Sequence, residues 1–88
     1  MITSIIIPSH NRRPVLIQTL NSLAGQTYPA AQLEVIVVLD GCRDDTRESL
    51  DAYSAPFTLR LIEQDHRGPG AARNLGAKLA KGELLIFL

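Results

Sequence analysis

The sequence has few cysteines and few aromatic residues, and neither charge is in excess. Cys42 is the only cysteine among 88 residues, which excludes an intrachain disulfide and a zinc site built from several cysteines, and it favours a reducing compartment. Nine basic and nine acidic side chains balance one another, so the composition gives no reason to expect an anionic membrane or a nucleic acid as partner. We therefore expect a protein that does not bind nucleic acid.

Long apolar runs and targeting signals are also missing. The first residues, Met1 to Ile7, carry neither the basic region nor the small-residue cleavage site of a secretory signal peptide. No stretch approaches the roughly 18 apolar residues of a membrane-spanning helix. We expect a cytoplasmic location, and a membrane association would depend on sequence outside these residues.

The sequence does contain short runs of aliphatic residues. Three are strong and a fourth is weaker: Ile2 to Ile7, Leu33 to Leu39, Leu84 to Leu88 and, weaker, Thr58 to Ile62. Their hydrophobicity is continuous rather than alternating, which is typical of strands buried on both faces of a parallel sheet. The runs therefore predict four strands covered by helices on both sides.

Helical signals lie between these runs. In chain order they are an Asn11 cap with Leu16, Leu20 and Leu23 at helical spacing, a capping box from Asp45 to Glu48, and Gly70 followed by Ala72, Leu75 and Leu79 on one face. The order β-α-β-α-β-α-β predicts an α/β fold. We expect a three-layer, doubly wound, mostly parallel sheet without a domain boundary inside residues 1–88.

Polar side chains follow the first two strands, at the sheet edge where ligands of such folds bind. The first loop contains Pro8, Ser9, His10, Asn11 and Arg12. These residues could grip a base or a ribose, although the same pattern also suits a turn with helix caps. Asp40, at the end of the second strand, either accepts a hydrogen bond from a base or ribose or forms a turn with Gly41.

The third loop, from Asp65 to Gly76, is the most unusual segment. Its small residues let the backbone approach a ligand at a helix N-terminus, which favours anions. The stretch from His66 to Lys81 contains basic side chains and no acid. Close packing of helix on sheet explains the small residues equally well, so Arg73 alone is retained as a candidate for contact with an anion.

Other nucleotide-binding and catalytic motifs are not supported. Gly68-Pro69-Gly70 matches a dinucleotide fingerprint only in part, because Arg73 occupies the third glycine position. The sequence has no P-loop pattern, and neither His10 nor His66 stands at nucleophile-elbow spacing from a serine or cysteine. A P-loop NTPase and a triad hydrolase are therefore disfavoured.

Taken together, three segments resemble glycosyltransferases of family 2, which have the nucleotide-diphospho-sugar transferase fold. The segments are Ser4 to Arg12, Glu34 to Thr46, and Gly68 to Gly76 continuing through Leu88. The similarity spans essentially the whole chain, with the three motifs in the family's order and spacing. It implies the N-terminal, Rossmann-like nucleotide-binding part of a GT-A-type fold.

The resemblance implies transfer of a sugar from a nucleoside diphosphate sugar, UDP-linked, to a hydroxyl of a glycan, lipid or small-molecule acceptor, with inversion. It implies that Asp40 bonds the uracil or ribose and that Arg73 lies near the nucleotide. The residues that it implies for contact with the base are Pro8, Ser9, His10 and Asn11.

Three positions depart from the family's usual residues. Leu39 replaces an acid, Cys42 replaces a serine, and His10 stands where an aromatic residue or a threonine is usual. These departures leave the fold unaffected but bear on the identity of the base.

Members of the family usually continue after a strand like Leu84 to Leu88 with an Asp-x-Asp motif that holds Mg²⁺ or Mn²⁺ on the diphosphate. A carboxylate base farther on deprotonates the acceptor hydroxyl. Neither is present here, and Glu83, at the opposite end of the last strand, is no substitute. We therefore expect a chain that stops before the Asp-x-Asp motif and contains no catalytic residue or metal ligand.

Two other functions stay open from the residues, namely a catalytically silent nucleotide-binding or interaction module and an oxidoreductase on a Rossmann-type sheet. In the family the last strand pairs beside the first, which would leave Leu84 to Phe87 as an apolar edge. We expect the chain to self-associate through this edge.

Overall fold

The structure, a computed structural model, describes residues 2–10, 13–25, 29–41 and 46–88. Its elements are the strands β1 (Thr3–Ser9), β2 (Leu33–Asp40), β3 (Thr58–Gln64) and β4 (Leu84–Phe87), the helices α1 (Arg13–Ala24), α2 (Thr46–Asp51) and α3 (Pro69–Leu79), and a 3-10 turn (Ala30–Gln32). Strands and helices alternate along the chain, as the sequence predicts. No helix among the described residues is long and apolar enough to cross a bilayer.

The four strands are parallel and lie in the order β3-β2-β1-β4. The chain winds outward from β1 through β2 to β3 and then returns across the sheet, so that β4 pairs with the other side of β1. The predicted doubly wound α/β sheet is confirmed, and so is the place of the last strand beside the first. Strand order reverses at β1, and ligands of open α/β sheets bind beyond such a reversal.

Both faces of the sheet carry a hydrophobic core, which explains why β1 and β2 are apolar without alternation. On one face, Leu20 of α1 and Leu50 of α2 belong to the larger core cluster. On the other face, Ala72 of α3 packs with Ile36 and Val38 of β2. Every residue of β2 is buried, because this strand lies between two others and between two layers of helices.

Small residues let α3 approach the sheet closely. A Cβ atom on Gly76 would lie 2.5 Å from Cγ2 of Ile6, and Ala72 is fully buried one turn earlier. Leu79, by contrast, is 37% exposed, and Ala80 rather than Leu79 packs against the smaller core cluster. The packing explanation is confirmed for Ala72 and Gly76, whereas Gly68 and Gly70 have no atom close enough to require a glycine. Leu79 lies at the margin of the predicted apolar face.

Pro8 lies inside β1, which corrects its predicted place in the loop after the strand. It pairs with Val38 of β2, whereas the pairing of β1 with β4 stops at Ile6. The carbonyl of Ile6 accepts from the N–H of Leu88, and alternate residues of a strand face the same neighbour. The missing N–H of Pro8 therefore faces the side where pairing with β4 has already ended.

Helix boundaries differ slightly from the predicted ones. Helix α3 begins at Pro69, one residue before the predicted Gly70, because proline suits the first helical position. Helix α2 ends at Asp51. The predicted caps at Asn11 and Asp45 lie outside the described residues.

Candidate functional site

The carboxyl ends of β1 and β2 and the first turns of α3 enclose a cleft of about 360 Å³. The lining residues are Pro8, Ser9, His10, Asp40, His66, Pro69, Arg73 and Leu88. Most of the residues predicted to bind nucleotide therefore come together, and Asn11 lies outside the described residues. The cleft lies next to the reversal of strand order at β1, where the fold predicts a ligand.

A wider depression of about 800 Å³ lies on the side of β2 and β3. Two carboxylates, Glu63 and Asp65, line it beside Arg67. Their negative charge opposes a diphosphate, whereas the smaller cleft has the exposed Arg73 in its wall. The smaller cleft is therefore the better candidate for an anionic ligand.

Asp40 ends β2, and only 4% of its side chain is exposed. Its Oδ1 accepts hydrogen bonds from Nε2 of Gln64 at 2.8 Å and from the backbone N–H of Arg67 at 2.7 Å. Its Oδ2 accepts from the backbone N–H of Gly68 at 2.9 Å and lies 3.2 Å from Nδ1 of His66. These donors, the Arg67 N–H first, hold the pKa of Asp40 below its ordinary 3.8, although burial alone would raise it.

The turn after β2 depends on Gly41. Its φ is +66°, a conformation that glycine adopts without strain. A Cβ atom at this position would lie 2.8 Å from Cβ of His66, and the N–H of Gly41 donates to the carbonyl of Gln64 at 2.9 Å. The turn at Asp40 and Gly41, one of the two alternatives that the sequence leaves open for Asp40, is therefore present, and it lies against the loop after β3.

His10 and His66 stack over the end of β2, with ring centroids 4.3 Å apart and planes inclined by 35°. Nδ1 of His10 lies 2.6 Å from the carbonyl oxygen of Asp40. A carbonyl can only accept, so Nδ1 of His10 donates, which leaves Nε2 as an acceptor in the neutral ring. His66 is not among the residues that the sequence predicts for the site. Its position just after β3 was a signal, but the strand order that brings it to His10 was needed to use it.

The start of α3 supplies positive electrostatic character to the cleft. Gly68, at the N-cap position of the helix, has no side chain that could accept from the first-turn N–H groups. Arg73 follows in the next turn and is exposed. The structure records no hydrogen bond or ion pair between Arg73 and another described residue. A helix N-terminus and an exposed guanidinium together favour an anion such as a phosphate group.

The described residues do not supply a metal centre. Within residues 2–10, 13–25, 29–41 and 46–88, no three or more His, Cys, Asp or Glu side chains form a group that could hold a metal ion. Glu83 lies at the amino end of β4, where its N–H donates to the carbonyl of Ile2 at 2.8 Å. It is therefore at the opposite end of the sheet from the cleft, as predicted.

Comparison with known proteins identifies relatives of this chain. The family described as glycosyl transferase family 2 matches residues 4–88. The poly(ribitol-phosphate) β-N-acetylglucosaminyltransferase TarS of Staphylococcus aureus is 36% identical over 87 residues, covering 97% of this chain and 15% of TarS. The validoxylamine A glucosyltransferase of Streptomyces hygroscopicus is 39% identical over 87 residues, covering 97% of this chain and 21% of that protein. The chain thus spans a small part of the length of these relatives.

Solved structures agree with the sequence comparison. The crystal structure of S. aureus TarS 1–349 in complex with UDP-GlcNAc matches with a TM-score of 0.91 at 34% identity, covering 100% of this chain and 26% of that chain. The mannosyltransferase PcManGT from Pyrobaculum calidifontis, in complex with GDP-Man and Mn²⁺, matches with a TM-score of 0.88 at 29% identity, covering 94% of this chain and 25% of that chain. The sheet is that of the GT-A-type fold, as predicted. The chain belongs to glycosyl transferase family 2.

Proposed function

We propose that the protein containing this chain transfers a sugar from a UDP-linked donor to a hydroxyl group of a glycan, lipid or small-molecule acceptor, with inversion at the anomeric carbon. In this proposal residues 1–88 supply contacts to the nucleotide. The observation that carries it is the cleft in which Arg73 and the N-terminus of α3 face the end of β1. TarS, which is 34% identical over this fold, has been crystallised in complex with UDP-GlcNAc.

The two sides of the cleft suit the two ends of a nucleoside diphosphate. Arg73 and the N-terminus of α3 suit the diphosphate, because an exposed guanidinium gains from charge-assisted hydrogen bonds to phosphate oxygens. Pro8, Ser9 and His10 line the other side and suit the base and ribose, since an imidazole offers a flat face and one acceptor nitrogen. We assign Asn11 to the base as well, on the family resemblance alone.

A divalent ion, Mg²⁺ or Mn²⁺, and a carboxylate base complete the proposed reaction. The ion neutralises the charge that develops on the departing diphosphate, and the base deprotonates the acceptor hydroxyl. The described residues contain no cluster of ligands for the ion. On the family resemblance, we assign both functions to parts of the protein other than these described residues. The Mn²⁺ in the PcManGT complex supports the use of such an ion on this fold.

Calorimetric titration of the natural full-length protein with UDP and Mn²⁺ tests the nucleotide site. We expect the wild type to bind, and Arg73→Ala to weaken binding roughly tenfold, because a lost charge-assisted hydrogen bond costs about 1.5 kcal/mol or more. Lys78→Ala removes a cation from the last turn of the same helix, remote from the cleft, and should leave the affinity unchanged. Equal losses of UDP affinity in the two variants would show that Arg73 does not contact the nucleotide. A wild type that does not bind UDP would contradict the proposal.

Turnover distinguishes the enzyme from a silent nucleotide-binding module. The full-length protein is incubated with UDP-linked sugars and a panel of hydroxyl acceptors, and released UDP is measured. Release that depends on the acceptor supports transfer, whereas UDP binding without release would favour the module.

We also propose that the 88-residue chain self-associates through β4. Residues Leu84 to Leu88 are 36% to 54% exposed, and within the described residues no strand pairs with the outer side of β4. An exposed apolar edge strand is a template for association. Light scattering should show a mass that grows with concentration, and Ile86→Lys should reduce this growth. A constant monomer mass would contradict the proposal.

A further inference from the structure

The carboxylate of Asp40 has one acceptor position left for a ligand. A carboxylate offers about four lone-pair positions. Oδ1 takes two donors, Nε2 of Gln64 at 2.8 Å and the backbone N–H of Arg67 at 2.7 Å. Oδ2 takes one, the backbone N–H of Gly68 at 2.9 Å. Since a carbonyl only accepts, Nδ1 of His66 donates to the backbone carbonyl of Asp40 at 3.4 Å. The open position therefore lies on Oδ2.

Gln64 reaches this carboxylate because the register of the sheet brings the two residues together. Asp40 and Gln64 are partners in the parallel pairing of β2 with β3, and the N–H of Gly41 donates to the carbonyl of Gln64 at 2.9 Å. Side chains alternate between the faces of a sheet, so partners in register lie on the same face. The main chain of β3 thus holds the Gln64 amide beside Asp40.

Gln64 lies on the side of Asp40 that faces away from the cleft. Asp40 lines the cleft, whereas Gln64 lines the wider depression and is not among the residues that line the cleft. Only 4% of the Asp40 side chain is exposed, so a small rotation of the carboxylate would close Oδ2 to a ligand. The terminal torsion of an aspartate is broad, and the bond from Gln64 to Oδ1 restricts it.

We propose that Gln64 is a positioning residue of the nucleotide site: its amide orients the carboxylate of Asp40 so that the open position of Oδ2 meets a donor of the nucleotide. The inference rests on the proposed function. Gln64 acts on the nucleotide through Asp40, without touching it. Because the carboxylate is oriented before the nucleotide arrives, binding does not have to order it.

The nucleotide group at Oδ2 must carry a hydrogen. The donors to Asp40, the backbone N–H of Arg67 foremost, hold its pKa below the ordinary 3.8, so the carboxylate is ionised at neutral pH and can only accept. Uracil offers its imide N–H and ribose offers hydroxyl groups. Cytosine has a lone pair where uracil has the imide N–H, and a carboxylate repels it.

The preference for UDP over two analogues tests this role in the natural full-length protein. CDP lacks the imide N–H, and dideoxy-UDP lacks both ribose hydroxyls. By calorimetry with Mn²⁺ present, we expect the wild type to bind UDP about tenfold more tightly than at least one analogue, because a hydrogen bond to a charged group is lost. The analogue that binds more weakly identifies the donor that meets Asp40.

Gln64→Leu removes the amide and keeps a side chain of similar size. We expect the preference for UDP over the weaker analogue to fall by about threefold or more, because the carboxylate is no longer held in one orientation. Gln18→Leu makes the same change at an exposed position of α1, outside the cleft, and should leave the preference unchanged. A merely structural role of Gln64 would lower the affinities for all three nucleotides by the same factor. An unchanged preference in Gln64→Leu would therefore overturn the proposal.

Gln64→Asn covers the case in which Gln64→Leu does not fold. It keeps an amide but is one methylene shorter, so the amide withdraws from Oδ1 and the preference should again decrease. An unchanged preference would count against the proposal in the same way. A wild type that binds UDP and both analogues equally would overturn the role of Gln64 and leave the proposed function in place. A wild type that binds none of the three would contradict the proposed function and this role with it.

Discussion

At the scale of single residues, β2 carries a second buried acid at its other end. Glu34 accepts hydrogen bonds from Oγ of Ser4 at 2.7 Å, Nη1 of Arg60 at 3.0 Å and the backbone N–H of Lys81 at 3.0 Å. Burial raises the pKa of Glu34, but these donors outweigh it and bring the pKa below its ordinary 4.5. A buried acid is tolerated here because donors from β1, β3 and the turn after α3 converge on it.

Replacing Glu34 with alanine should destabilise the chain by about 2 to 3 kcal/mol, because donors that lie against a buried carboxylate lose their acceptor. Urea unfolding of the 88-residue chain at low concentration measures the change. Glu83→Ala, an exposed acid at the start of β4, is the matched control and should change stability by about 0.5 kcal/mol or less. Equal effects of the two substitutions would show that the Glu34 cluster contributes nothing.

The sequence predicts where these polar residues lie along their elements but not which groups they meet. Asp40 is recognisable at the end of an apolar run, because a buried strand ends where polar residues begin in the sequence. The contact between Glu34 and Lys81 joins residues 47 positions apart, and the contact between His10 and Asp40 joins residues 30 apart. Such pairs depend on strand order, on which local patterns carry no information.

At the scale of elements, α3 is tied to β2 at both ends. Asp40 binds N–H groups just before the helix, and Glu34 binds the N–H of Lys81 just after it. The six-residue separation of the two acids spans roughly 20 Å of strand, and the 11 residues of the helix span roughly 16 Å. The strand between the acids is roughly 4 Å longer than the helix, and the bound N–H groups of Gly68 and Lys81 lie just outside the two ends of α3. The two acids therefore hold α3, which carries Arg73, from both ends.

The middle of α3 depends on Gly76. We expect Gly76→Ala to destabilise the chain by about 1 to 3 kcal/mol, because the added methyl group collides with Ile6. Gly70→Ala, on the same helix, meets nothing within 4 Å and should be neutral or stabilising by up to about 1 kcal/mol. Urea midpoints of the two variants measure the contrast. Similar midpoints would mean that α3 can move away from the sheet to accommodate the methyl group without a loss of stability.

The residues at which strands and helices begin and end are harder to predict from the sequence than the presence of the strands and helices themselves. The aliphatic runs and helical spacing predict all the described strands and α-helices in order. The predicted burial on both faces holds for β1 and β2 but is wrong for β4, which is exposed, because it lies at the edge of the sheet. The sequence predicts Pro8 in the loop after β1, whereas it lies inside the strand. The sequence could not show that the missing N–H of this proline faces the side where β4 no longer pairs.

At the scale of the whole molecule, the two buried acids make stability depend on pH. The pKa values of Glu34 and Asp40 are lower in the folded chain than their ordinary 4.5 and 3.8, so the unfolded chain binds more protons at acid pH. Their stabilisation is therefore complete above these ordinary values and is lost as the pH falls through the lower folded-state values. The urea concentration at the unfolding midpoint should decrease as the pH is lowered below about 4.5. In Glu34→Gln this decrease should be smaller. Midpoints that do not change with pH would contradict the lowered pKa values of Glu34 and Asp40.

The central claim is that a nucleoside diphosphate binds where the ends of β1 and β2 meet the start of α3. A crystal structure of the natural full-length protein with UDP and Mn²⁺ tests it most directly. We predict the diphosphate beside Arg73 and the base beside His10, in the cleft of about 360 Å³. UDP bound instead in the depression beside Glu63 and Asp65, or at the Glu34 end of the sheet, would contradict the claim.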